Sequence, residues 1–190
     1  MQITDATGLG DGPGARVKNN NLHTFSITES RIADISKTGY SFLLATDFVS
    51  LTTTGSFNGI MYIKNTDSNK SLFIDSVRVC GDTTGNAQIR YLRNPTAGTL
   101  ISDANDADQL SANAGSNIPF PGLAYSASGD GKTVTDGDNW SQYIQRTAGH
   151  SSEIYNGAII IPNGSSLAIS AKPSVAMTLC MAVQCWFEEI

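Results

Sequence analysis

From Thr24 onward, short apolar runs broken by turn residues recur along the chain. Ser41 to Leu51 reads as one strand, with Phe42, Leu44 and Phe48 as its core residues. Gly59 to Asn65 reads as the next, through Ile60, Tyr62 and Ile63, and Thr66-Asp67-Ser68-Asn69-Lys70 as the reversal after it. In Leu72 to Cys80 the apolar phase changes between Ile74 and Val77, which places a bulge or bend near Asp75. Ala87 to Arg93 alternates, with Ala87, Ile89 and Tyr91 on one side. Asn94-Pro95-Thr96-Ala97-Gly98 is a turn, and Thr99-Leu100-Ile101 opens a further strand.

Ser102 to Gly131 is polar and poor in pattern, and it reads as one long connection with at most a short helical turn. Tyr155 to Ile161 is a strand stopped by Pro162-Asn163-Gly164, and Leu167, Ile169 and Ala171 alternate after it. Met177, Leu179, Met181, Val183, Cys185 and Phe187 then hold one parity without interruption, the signature of a long, half-buried central strand. No amphipathic helix of useful length and no repeat period stands out. Many short antiparallel strands with loops between them predict an all-β fold: an antiparallel β-sandwich, jelly-roll-like, over residues 23–190.

Residues 1–22 differ. They lack apolar periodicity and contain Gly8, Gly10, Gly12, Pro13 and Gly14, then Asn19, Asn20 and Asn21. Alone in water such a stretch is an extended, flexible arm. Fixing each of its residues costs ~1–2 kcal/mol of backbone entropy, so an arm of this kind serves by docking on the body, a sister subunit or a host surface. Leu9, Val17 and Leu22 are its candidate anchors, with Arg16 and Lys18 meeting acidic groups on the partner.

Composition agrees with strands and turns. Of the 190 residues, 40% are hydrophobic and only 15% charged, and Ser, Thr, Asn and Gly fill the difference. The formal charge of −5 comes with no basic stripe, so no nucleic-acid partner is expected; Arg78, Arg90 and Arg93 read as a solvated sheet face. No window reaches the apolar length of a membrane span, and Met1-Gln2-Ile3-Thr4-Asp5 does not open a signal peptide. The expectation is a product made in the cytoplasm and retained or assembled there. Cys80, Cys180 and Cys185 form no C-x-x-C pair. The last two fall on opposite parities of one strand and do not bridge, so all three read as small buried hydrophobes in a reducing compartment.

Candidate chemistry is thin. His150, beside Ser151 and Ser152, lacks a G-x-S-x-G elbow and reads as a loop histidine. Asp103, Asp106 and Asp108 lack the Gly and Glu of a calcium loop. Asp130 and Asp136 to Asp138 sit in turn sequences, and Gly8-x-Gly10-x-Gly12 follows no strand and ends in no Lys-Ser/Thr. No catalytic residue, metal or cofactor is expected. Trp140 with Tyr143, and Tyr125 in the middle region, read as candidates for a sugar platform, although aromatics in a sandwich are more often core or interface.

Four segments, in order, resemble a family of small virion structural proteins of tailed phages: Met61-Tyr62-Ile63-Lys64-Asn65, Tyr91 to Thr99, Ala158 to Leu167, and the closing strand to Glu189. The Gly-rich opening that runs into Ala15-Arg16-Val17 and Asn19-Asn20-Asn21-Leu22 is similar too. The resemblance implies a non-enzymatic β-sandwich subunit on the particle surface, a decoration or cement protein. Its partners would be the major capsid protein and sister subunits, preferably in a trimer, and the family brings no catalytic residues. The alternative is a tail or fibre module that binds receptor glycans through Trp140 and Tyr143. A carbohydrate-active enzyme comes third and needs a carboxylate pair facing a cleft.

Overall fold

The structure, a computed structural model, describes residues 16–18, 21–23, 30–52, 54–82, 85–102, 107–146 and 149–189. The chain divides into two compact units, 1–31 and 32–190. In the first, β1 (Arg16–Lys18) pairs antiparallel with β2 (Asn21–His23), Val17 opposite Leu22. The boundary read at 22/23 therefore falls inside β2. Leu9 lies outside the described residues.

The second unit is an all-β sandwich of two antiparallel sheets. Its strands are β3 (Ser41–Ala45), β4 (Val49–Leu51), β5 (Asn58–Asn65), β6 (Ser71–Gly81), β7 (Asn86–Arg93), β8 (Asp108–Ser111), β9 (Gly122–Ser126), β10 (Asp138–Arg146), β11 (Gly149–Ile161), β12 (Ser166–Pro173) and β13 (Met177–Glu188). One sheet runs β10-β7-β12-β5-β9. The other runs β11-β6-β13-β3-β8, with β4 also on β13. The pairings β5 with β12, β6 with β11 and β7 with β10 are nested, as when a folded ribbon wraps around a core, which makes the sandwich jelly-roll-like.

The long apolar parity of β13 is buried as expected: Met177, Leu179, Met181, Val183, Cys185 and Phe187 all face the interior. So do Ala87, Ile89 and Tyr91 of β7. Phe42, Phe120 and Phe187 meet edge to face with centroids 5.3 to 6.0 Å apart. The bulge read near Asp75 is present: Gln184 pairs with Ser76 and Cys185 with Ile74, so Asp75 is skipped. Its half-buried carboxyl is pushed above the usual range by desolvation, against the pull of Arg78.

Several expectations are corrected. Ser41 to Leu51 is two strands, and Phe48 is not core: it is 80% exposed. Between β3 and β4 the chain inserts one extra residue against β13, since Ala45 pairs with Ala182 but Val49 with Leu179. Thr46 stays inside and closes the gap, its N–H donating to Met181 O and its Oγ1 accepting from Met181 N–H, both at 2.9 Å. The insertion flips parity, so Val49 and Leu51 point inward and Phe48 outward.

Thr99-Leu100-Ile101 is a turn and not a strand, and 102–131 is not one connection, since β8 and β9 lie within it. A helix, α1 (Arg31–Thr38), also escaped the sequence reading; it buries Ile35 alone and ends at Gly39, whose φ is 84°. Two turns are too few to print a 3.6-residue period.

Candidate functional site

The two sheets treat their outward faces differently. On the five-stranded sheet, β5 and β12 are buried on both sides. The turn at Leu100 and the segment around Val134 fold back over β5. Gly59 makes the room, because a Cβ there would come within 2.8 Å of both Val134 and Leu100 side chains. The Ala97–Thr135 bridge and the Thr99–Thr133 hydrogen bonds fasten this cover.

The six-stranded sheet leaves several large apolar side chains exposed on its outward face. One register row crosses five strands: Leu110 of β8, Leu43 of β3, Gln184 of β13, Ser76 of β6 and Ile154 of β11. Leu110 is 66% exposed, Ile154 67% and Leu43 41%. The next row holds Asp108, Ala45, Ala182, Arg78 and Ser152. Beyond it Cys180, Cys80 and His150 stand side by side, next to Phe48. The opposite end carries Trp186, Phe73 and Ile160.

Two shallow hollows sit in this face and share Arg78 and Ala182. One, of about 340 Å³, is lined by Leu43, Leu110 and Gln184 among others; the second, of about 440 Å³, by Phe48, Cys80, His150, Cys180 and Met181. A large side chain left exposed once is ordinary. Here Leu110 and Leu43 stand at one end of a row and Ile154 at the other, with polar Gln184 and Ser76 between them and Arg78 in the next row, the mixed composition of a surface that meets another surface.

The aromatics picked from sequence separate. Trp140 sits at a bulge of edge strand β10, skipped between Asn139–Leu92 and Ser141–Tyr91, and is 43% exposed. Tyr143 turns into a cluster with Tyr91 (6.1 Å), which in turn meets Tyr155 edge-on (6.2 Å). Burial raises the pKa of all three phenols above the ordinary tyrosine value. The hydroxyls of Tyr91 and Tyr143 converge without closing a hydrogen bond of ordinary geometry. Of the sugar pair, then, only Trp140 offers a ring to solvent.

Arg16, Val17, Lys18 and Leu22 lie on the β1–β2 hairpin, and His150 faces outward from β11 opposite Cys80. Asp103 and Asp106 lie outside the described residues. Among the described residues, no three His, Cys, Asp or Glu side chains gather as a metal-holding group. No helix among them is long and apolar enough to cross a membrane. Arg90 lies over the Phe57 ring at 4.0 Å, and burial lowers its pKa.

Sequence reasoning missed the apolar face because its members are scattered along the chain. Leu43, Leu110 and Ile154 come together only through register. The signal that was present is an apolar residue on the polar parity of each strand. Comparison with family models, with curated proteins and with solved structures finds no match to this chain.

Proposed function

We propose that this chain is a non-catalytic structural subunit of a tailed-phage particle, a decoration or cement protein on the outer surface of the capsid. Its partners in this reading are the major capsid protein and sister copies, most simply in a trimer. The observation that carries it is the exposure of Leu110, Leu43 and Ile154 in one register row on the outward face of the six-stranded sheet, with Gln184 and Ser76 between Leu43 and Ile154. A sandwich that covers the middle of one face with its own segments and exposes large aliphatic side chains on the other is suited to adhesion, and no chemistry is needed. The order of the sequence segments resembling virion proteins supplies the particle. Many copies, each holding weakly, stabilise a shell through multivalency.

The test mixes purified chain with capsids that lack it, then measures co-sedimentation and the temperature at which DNA escapes. The chain is expected to sediment with the capsids and to raise that temperature. Burying one large aliphatic side chain gains about 1.5–3 kcal/mol, so Leu110→Asn with Ile154→Asn should weaken binding tenfold or more while the far-ultraviolet spectrum stays the same. Unchanged binding by that double variant overturns the face assignment, and no binding by the parent chain overturns the reading.

A second reading, a receptor-binding module for glycans, is favoured by one observation, the exposure of Trp140 on an edge strand. Trp186, buried, is the internal control. A glycan ligand should protect Trp140 from oxidation by N-bromosuccinimide.

A further inference from the structure

The outward face of the six-stranded sheet holds two thiols in direct register. Cys180 of β13 pairs with Cys80 of β6, and both are reduced. Asp82 N–H donates to Thr178 O at 3.2 Å two residues along the same ladder. That makes Cys80 and Cys180 a hydrogen-bonded cross-strand pair, whose Cα atoms stand about 5.5 Å apart. The Cα spacing lies inside the ~4.4–6.8 Å window a disulfide requires; side chains of a hydrogen-bonded pair stand farther apart than those of a non-hydrogen-bonded one, so closing the bond draws the two strands together locally. Cys80 is exposed and Cys180 half-buried, and their side chains are within hydrogen-bonding reach of each other. Cys185, on the other parity of β13, is buried inside the sandwich and takes no part.

We propose that Cys80 and Cys180 form a dithiol site that closes to a cross-strand disulfide by exchange with a small-molecule disulfide. The Cys80 thiolate, the more accessible, attacks one sulfur of the reagent RSSR, forming Cys80–S–S–R and expelling RS⁻, which takes up a proton. Cys180 then gives up its proton, and its thiolate attacks the Cys80 sulfur and expels the second RS⁻. Two thiols and RSSR become one protein disulfide and two RSH, with two electrons passed to the reagent. The order of attack follows from the surroundings. Desolvation and the neighbouring Cys80 both hold the Cys180 pKa up, and the second influence disappears once Cys80 is capped. The bond ties β6 to β13 at the end of the sheet and closes about one hundred residues of chain, a long loop whose closure restricts the unfolded state more than a short one would.

The proposal concerns the free chain and stands apart from the capsid reading. The full chain is reduced, freed of reductant and titrated with oxidised glutathione under native conditions. Accessible and buried thiols are counted after denaturation, and digests are mapped by mass without reduction. The expected result is a fall from three thiols to one, a Cys80–Cys180 linked peptide, a monomer on a non-reducing gel and a rise in Tm of about 5 °C or more. Dithiothreitol should reverse it. Cys185→Ser should behave as the parent chain, and Cys180→Ser should stop at glutathione held on Cys80. A stable mixed disulfide on Cys80 in the parent chain, a dimer linked through Cys80, or three thiols still free each overturn the proposal.

Discussion

The indole of Trp186 lies flat on the ring of Phe73, centroids 5.4 Å apart and planes 4° apart, on the outward side of the six-stranded sheet. Trp186 belongs to the solvent-facing parity of β13, yet it is buried. The stacked Phe73 shields it from one side, and the backbone of β11 shields it from another. There the pairing jumps from Ile154–Ser76 to Ile159–Ile74, and Gly157 comes down onto the ring.

That contact has no room for a side chain. Gly157 has a φ of 79°, and a Cβ would fall 2.5 Å from the indole. Gly157→Ala is expected to cost about 1–3 kcal/mol through strain and overpacking and to shift Trp186 fluorescence to the red. Urea unfolding followed by fluorescence checks both, and a variant with parental midpoint and spectrum shows the bulge to be soft.

Leu179 is fully buried in the central strand and lies 3.2 Å from where a Cβ on Gly81 would sit. Leu179→Ala is expected to cost ~2–5 kcal/mol, measured by denaturant unfolding at unchanged slope. A loss below 1 kcal/mol means that the site collapses around the deletion or is not core.

These two positions mark how far the sequence carries. Leu179 was legible because β13 keeps a period of two over its whole length, and Asp75 because a phase change in an apolar run implies a bulge. Phe48 was misread for the same physical reason that Asp75 was read correctly. The shift from Phe42 and Leu44 to Val49 and Leu51 is also a phase change, but Phe48 continues the earlier parity and hides it. Leu100 and Gly59 were out of reach, because a turn residue folding over a distant strand leaves no local pattern. The apolar face was out of reach too, since the register that joins Leu43 to Leu110 and Gln184 is a property of pairing.

Tyr91, Tyr143 and Tyr155 give the fold a sensitivity to alkali. Burial raises their folded-state pKa values above the unfolded value of ~10. Their stabilising contribution is therefore full below pH ~10 and is lost as pH climbs through the folded-state values, because the unfolded chain ionises first. Phenolate absorbance from this cluster should appear in step with loss of the folded circular dichroism signal. Full phenolate absorbance near pH ~10 with an unchanged signal sinks this account. Since the Tyr91 hydroxyl makes no hydrogen bond of ordinary geometry, Tyr91→Phe is expected to change stability by no more than about 1 kcal/mol.

The arm supplies the sharpest division of labour. Among the described residues, the main apolar cluster runs from Phe42 onward, and the compact unit of the sandwich starts at Ile32. A chain that begins at Ser30 should therefore keep the Tm of the full chain within a few degrees. Binding to capsids, in the proposed reading, is a different matter. With Arg16–Lys18 paired back on Asn21–His23, the arm's stretch of about fifteen residues before the hairpin can reach up to ~50 Å if extended, enough to touch a neighbouring subunit, and extended segments dock well by adding main-chain pairing to a sheet edge. Its Gly and Asn content gives it little that is worth folding for on its own. If the arm is the clasp, removing it weakens co-sedimentation with capsids or with sister copies while the body stays folded, and the Leu110→Asn, Ile154→Asn face variant loses binding independently. If the shortened chain sediments and decorates as well as the full one, the arm is incidental and the apolar sheet face carries the attachment alone.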